Sequence, residues 1–285
     1  MKRILIIFFI LIGAYFLLNV NFSSFLPFSN EEADEQVTNR IDTIKINTGS
    51  IKTNIIPEKR NTVEANLDGK GVVTVKKNGN TILVEYERNW LSGFSFLNFN
   101  SELNIFIPEN FDRNLDINAG SGYLTFIGKS EMQLMKLNTL NINMSSGKTD
   151  IKNIKVEEYV LDGSSGMISI DGLVTKTGTI DMSSGLINIK NYEGKLKAKV
   201  SSGKLDVQVN ELTDDIELHA SSGQIKLDLP DNADFTLQGS YSSGIIRSKF
   251  TLKDQIQEKS RLDGVSGTGK HLVKVTVSSG LVDIY

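Results

Sequence analysis

Ser183-Ser184-Gly185-Leu186-Ile187-Asn188-Ile189 is the stretch whose reading decides the fold. Its leading tripeptide, Ser-Ser-Gly, occurs seven times, with glycines at Gly147, Gly166, Gly185, Gly203, Gly223, Gly244 and Gly280. Gly120-Ser121-Gly122 is an eighth, near-match copy. The steps between these glycines are 25, 19, 19, 18, 20, 21 and 36 residues. A short, near-constant period flanked by strand-forming residues marks a stacked β architecture.

The flanks set the geometry. Two residues past each glycine stand Thr149, Ile168, Ile187, Leu205, Ile225, Ile246 and Val282. Four past it stand Ile151, Ile170, Ile189, Val207, Leu227, Ser248 and Ile284. Between them come Asp150, Ser169, Asn188, Asp206, Lys226, Arg247 and Asp283. Apolar and polar residues thus alternate with period two, the pattern of a half-buried strand. Upstream, Met144, Gly163, Met182, Val200, Ala220, Tyr241 and Val277 stand three before the glycine, and polar residues stand four before it. Two strands therefore flank each tripeptide. Glycine supplies the positive φ of a bend, and serine hydroxyls can bond to nearby backbone there. Asn153, Gly172, residues 191–194 and Asn210 mark a second turn per repeat.

Two strands and two turns in about 20 residues fit a β-solenoid coil or a β-hairpin meander. Register favours the solenoid. In a solenoid each repeat position stacks on itself about 4.8 Å away, giving continuous internal ladders of Ile, Leu and Val. A meander or sandwich has no need of the same tripeptide at every second turn. The expected fold class is all-β: a β-solenoid stack of short strands, preceded by one N-terminal transmembrane helix.

That helix comes from residues 4–20, apolar apart from Gly13, Tyr15 and Asn19. It would be about 25 Å long, at the short end of a bilayer span. Lys2 and Arg3 precede it, and Glu31, Glu32, Asp34 and Glu35 follow. The positive flank stays cytoplasmic, so the remainder is exported. The expected organisation is an anchor over residues 1–28, a polar linker over 29–40 and an extracytoplasmic domain over 41–285. A cleaved signal peptide is the competing reading. Bulky residues between Leu17 and Phe28 leave no small-x-small cleavage site.

Composition removes several functions. The chain has no cysteine, which excludes disulfides, thiolate zinc sites and cysteine nucleophiles. Its 31 Lys and Arg nearly balance 34 Asp and Glu, without a basic run to track phosphates, so no nucleic-acid partner is expected. Neither His219 nor His271 has a ligand at metal spacing. Seven near-identical serine pairs with two histidines do not make a catalytic set. No catalytic residue, metal or cofactor is expected. The outward ladder from Asp150 to Asp283 mixes signs and has no aspartate cluster for calcium, and it reads as a solvated face.

Ahead of the regular repeats, Thr48-Gly49-Ser50 is a degenerate corner, and Asn78-Gly79 should close a hairpin between residues 72–75 and 81–86. Residues 103–107 form a strand stopped by Pro108. The region over 40–126 should supply the first coils and a cap. Residues 252–270 fill the long last step; the polar residues 253–259 should loop out, and Gly264 to Gly269 should return the chain to the last strand pair. Trp90, Phe94, Phe96 and Phe99 form an aromatic cluster and the candidate contact surface, for a membrane or a partner. The competing reading packs them in a cap.

The repeated Ser-Ser-Gly followed by an alternating strand resembles the bacterial candidate-adhesin family, a domain of unknown function. The closing stretch, Gly267-Thr268-Gly269 on to residues 277–284, is similar to that family's end, and the likeness covers about 41–285. It implies a solenoid-like domain outside the membrane of a Gram-positive bacterium and a connection to cell-envelope stress. It supplies no catalytic residues. The expected function is a non-enzymatic, membrane-anchored, adhesin-like surface module. Its expected partners are the membrane itself and a cell-wall polymer, lipid headgroups or a membrane protein. The rivals are a polysaccharide-acting enzyme of the envelope and a purely structural spacer.

Overall fold

Alternating strands that return every 20 or so residues can bury their apolar side only by stacking. The computed structural model, which describes residues 33–88 and 101–285, shows them doing so as a parallel solenoid. Among the described residues every regular element is a strand. The first part of the chain supplies β1 (Ala33–Gln36), β2 (Thr43–Gly49), β3 (Lys52–Glu58), β4 (Thr62–Asp68), β5 (Val72–Asn78), β6 (Thr81–Glu87), β7 (Glu102–Pro108), β8 (Asn114–Ala119) and β9 (Tyr123–Ile127). The repeats supply β10 (Met135–Met144), β11 (Lys148–Gly163), β12 (Met167–Val209) and β13 (Ile216–Asp228). β14 (Phe235–Tyr241), β15 (Ile245–Ser248), β16 (Lys253–Glu258), β17 (Arg261–Ser266) and β18 (His271–Ile284) complete it.

Coil lies on coil in parallel register: β10 on β11, β11 on β12, β12 on β13 and β13 on β18. A meander would be antiparallel. The residues two past each glycine are all buried, as are those four past it except the half-buried Ser248. Those three before it are buried except Tyr241, which is half-buried. Each large aliphatic side chain buried in these ladders contributes about 1.5–3 kcal/mol. Gly163 and Gly178 leave room inside the coil for bulkier neighbours, Met182 and Tyr192. A Cβ on Gly178 would lie 2.2 Å from the Tyr192 hydroxyl, which donates to the Lys195 carbonyl at 2.7 Å.

The backbone ladder runs on through the Ser-Ser-Gly corner. Ser184 N donates to Ser164 O at 2.9 Å, and Leu186 N to Gly166 O at 3.0 Å. This explains why β12 is one element of 43 residues although it spans more than one coil. Gly185 has φ 139°, and a Cβ there would stand 2.2 Å from Gly166 O. Glycine is needed both for the angle and for the close stacking of corners. The serines work differently from expectation. Their backbone groups carry the ladder, while Ser146 Oγ donates sideways to Ser121 Oγ at 2.8 Å. The second turn is where Asn153 (φ 57°), Gly172 (φ 73°) and Asn191 (φ 52°) lie left-handed. Asn210 Nδ2 donates to Asn191 Oδ1 at 2.9 Å, and Asn191 Nδ2 to Asp171 Oδ1 at 2.7 Å.

Both ends depart from sequence order. β18 lies in parallel register between β13 and the coil of β14 and β15. The last coil in sequence is therefore not the last in space. The long step that allows this was expected to loop out at residues 253–259. Instead it forms the antiparallel hairpin β16–β17, which covers β14. At the other end the coil of β2 and β3 lies between β8–β9 and β6–β7. Antiparallel strands close this end too: β5 on β6, β4 on β7, and β1 on β4. The hairpin between β5 and β6 turns at Gly79 (φ 61°), as the Asn-Gly signal implies. β16 is a protected edge, with every residue exposed and a register shift between Lys253 and Ile256.

Candidate functional site

Trp90, Phe94, Phe96 and Phe99, the aromatic contact cluster, lie outside the described residues, as do residues 4–20. Among the described residues no helix is long and apolar enough to cross a membrane. What the structure does place is the outer surface of the coils.

Outward residues stand in columns because the coils are in register. In the column three past the glycine, Asp206 faces Lys226, Lys226 faces Asp283, and Asp283 faces Arg247. The out-of-order β18 thus turns the sequence order Lys226, Arg247, Asp283 into alternating charges, which avoids like charges on neighbouring strands. Other outward carboxylates pair locally. Lys148 Nζ is 3.0 Å from Asp150, Lys199 is 3.3 Å from Asp181, and Glu217 meets Lys274 at 3.4 Å and Lys197 at 3.8 Å. The hydrogen bonds of Lys148 to Asp150 and Tyr123 raise its pKa. In the column four before the glycine, which also holds Asp181 and Lys199, an amide ladder runs from Asn143 to Asn118 at 3.3 Å and from Asn118 to Asn47 at 2.9 Å.

His219 lies on the outer column beside Lys199 and Thr276, because β18 separates it from Ser240. His271 is in register with Phe235, on a different rung, and its buried Nε2 has no hydrogen-bond partner among the described residues. The two are not brought together with a carboxylate: among the described residues no three His, Cys, Asp or Glu side chains group as a metal site.

Two further features escape a residue-by-residue reading. The first is Asp234, whose carboxylate accepts from Thr268 N at 2.8 Å, Gly269 N at 2.6 Å, Lys270 N at 3.0 Å and Thr268 Oγ1 at 2.7 Å. The Lys270 backbone bond leads these contacts in lowering its pKa from 3.8 to about 2. Asp234 thereby fixes the turn at Gly267-Thr268-Gly269.

The second is a cavity of about 470 Å³ at the C-terminal end, lined by Asp228, Asp231, Lys249, Phe250, Thr251 and Tyr285 among others. Asp228, Tyr285 and Lys249 each stand five residues past a corner glycine and occupy successive rungs. Tyr285 N donates to Leu227 O at 2.9 Å, and Lys249 N donates to Ile284 O at 2.9 Å. Lys249 Nζ lies 4.7 Å from the centre of the Tyr285 ring. Phe250 packs edge-on against Phe235 at 5.1 Å. Burial raises the Tyr285 pKa, and the Asp228 carboxylate acts in the same direction. The signal for this group was the outward position five past the glycine. It was hidden because sequence order does not reveal that β18 sits between β13 and β15.

The chain belongs to the toastrack family, DUF4097, whose profile matches residues 41–285. No curated protein matches it. Among solved structures it is similar to a candidate adhesin from Bacteroides fragilis, at 14% identity and a TM-score of 0.49, over 89% of this chain and 96% of the other. A candidate adhesin from Parabacteroides distasonis aligns at 13% identity and a TM-score of 0.46, over 89% and 96%. A candidate cell-adhesion protein from Clostridium sporogenes aligns at 15% identity, over 90% and 99%, with a TM-score of 0.27.

Proposed function

We propose that this toastrack-family chain is a non-enzymatic, adhesin-like surface module of the bacterial cell envelope. A helix over residues 4–20 holds it in the membrane, and its solenoid faces the outside. The observation that carries this reading is the registered outer surface. Successive coils repeat outward side chains in columns, and many of these pair with one another, Lys148 with Asp150 along a strand and Glu217 with Lys274 across rungs. Such a surface suits extended contact with an envelope component: a cell-wall polymer, lipid headgroups or a membrane protein. The short anchor and the chain length are most like LiaG, a membrane-anchored protein of Gram-positive bacteria encoded with an envelope-stress system. Our reading extends to that connection.

The test is photo-crosslinking in intact cells, with a benzophenone side chain placed singly at Asn188, Lys226, Lys197 and Thr276. The reading expects at least one position to crosslink to an envelope constituent. Absence of crosslinks from all four would favour a passive spacer. Release of reducing ends from cell-wall polysaccharide by the purified protein would favour the enzyme.

A further inference from the structure

We infer that the C-terminal cavity is a binding site for a neutral sugar residue, an inference that rests on the interaction-module reading and names one chemistry it would recognise. Its volume, about 470 Å³, lies within the range of small-molecule sites. Its walls offer what a sugar ring needs. Tyr285 and Phe250 supply aromatic surface for the C–H face of the ring. Asp228 and Asp231 accept hydrogen bonds, Lys249 donates them, and Thr251 does both.

Two observations leave this place open to a ligand. Asp150, Asp181, Asp206 and Glu217 each have a lysine partner on the protein itself. Among the described residues, Asp228, Asp231 and Thr251 have no side-chain hydrogen bond or ion pair, and the Lys249 ammonium sits over the Tyr285 ring. The cavity therefore keeps its hydrogen-bonding capacity for something else. The mixed signs select the ligand class. A bare cation would meet Lys249, and an anion would meet Asp228 and Asp231. A polyol satisfies both, because every hydroxyl donates and accepts.

Saturation-transfer NMR on the full-length protein, in a zwitterionic detergent free of sugar, tests this. The probes are the methyl β-glycosides of glucose, galactose and N-acetylglucosamine at millimolar concentration. The expected result is transfer to the ring protons of at least one probe. Tyr285→Ala and the pair Asp228→Asn/Asp231→Asn should weaken that binding by about tenfold or more. Lys136→Ala, at an exposed position of β10 outside the cavity lining, should leave it unchanged. Should Tyr285→Ala lose its β-type circular dichroism, Thr251→Ala/Asp231→Asn at two exposed positions takes its place and must show the same loss. No transfer to any of the three sugars, or equal transfer in a folded variant, overturns the assignment. Crosslinks from Asn188 or Lys197 would still stand in that event, so this failure is distinguishable from failure of the module reading.

Discussion

Replacing Gly185 by alanine tests the corner directly. The residue has φ 139°, and an added Cβ would lie 2.2 Å from Gly166 O, far inside van der Waals contact. Holding an L-residue in such a conformation costs about 1–3 kcal/mol. Gly166 O also accepts from Leu186 N at 3.0 Å, so pushing it aside weakens that bond. A lost hydrogen bond adds about 1 kcal/mol. The expected destabilisation is about 2–4 kcal/mol. At roughly 2–4 °C per kcal/mol for a domain of this size, Tm falls by about 5–15 °C. Ser184→Ala, at the exposed neighbour, should stay within about 0.5 kcal/mol. Gly244→Ala should fall between them, since Gly244 lacks a positive φ and its Cβ would be 2.7 Å from Gly280 O. Urea denaturation of the full-length protein, followed by far-ultraviolet circular dichroism, measures all three. If Gly185→Ala costs no more than Ser184→Ala, the corners do not depend on glycine and the reading of the repeat is wrong.

Three other substitutions probe separate parts of the domain. Because the Asp234 pKa is held down at about 2 against an ordinary 3.8, its contribution is complete above about pH 4 and fades as pH falls toward 2. Asp234→Asn should lower the urea midpoint at pH 7, with the gap from wild type closing by pH 2; a gap independent of pH would contradict this. Gly178→Ala should destabilise through its 2.2 Å contact with the Tyr192 hydroxyl, and Tyr192→Phe should relieve part of that cost. A double-mutant cycle should then give a coupling of about 1 kcal/mol, and strict additivity would refute the contact. Tyr159 is fully buried and its hydroxyl has no partner among the described residues, so Tyr159→Phe should be neutral or stabilising by about 1 kcal/mol in the same assay. A clear loss of stability would mean that the hydroxyl is bonded after all.

Local rules carried the core. A period-two pattern specifies which side chains turn inward, and the ladders from Ile168 through Ile225 to Val282 are buried as that pattern requires. Asn78-Gly79 and the left-handed Asn153 and Asn191 were readable because few residues tolerate those angles. The hairpin β16–β17 was not readable, for a related reason. All six residues of β16 are exposed, so it has no apolar alternation, and an edge strand solvated on both faces has the composition of a loop. The placement of β18 was also hidden. Any of these coils has a face compatible with any other, so the repeat alone does not say which edge the last coil will fill.

That ambiguity bears on the candidate site. In a solenoid each coil touches only its neighbours, so a simple stack repeats along its surface what the sequence repeats along the chain. A coil inserted out of order escapes that constraint. It sets Tyr285 between Asp228 and Lys249 and alternates Lys226, Asp283 and Arg247, combinations that no run of consecutive repeats contains. The insertion also needs a connection long enough to pass over β14, and the hairpin that serves as this connection ends at Ser266, on the rim of the cavity. The device that closes the solenoid's end is thus the one that creates a surface unlike the rest. The Ser-Ser-Gly corners make the platform, and the interruption of their order gives it a distinct local chemistry.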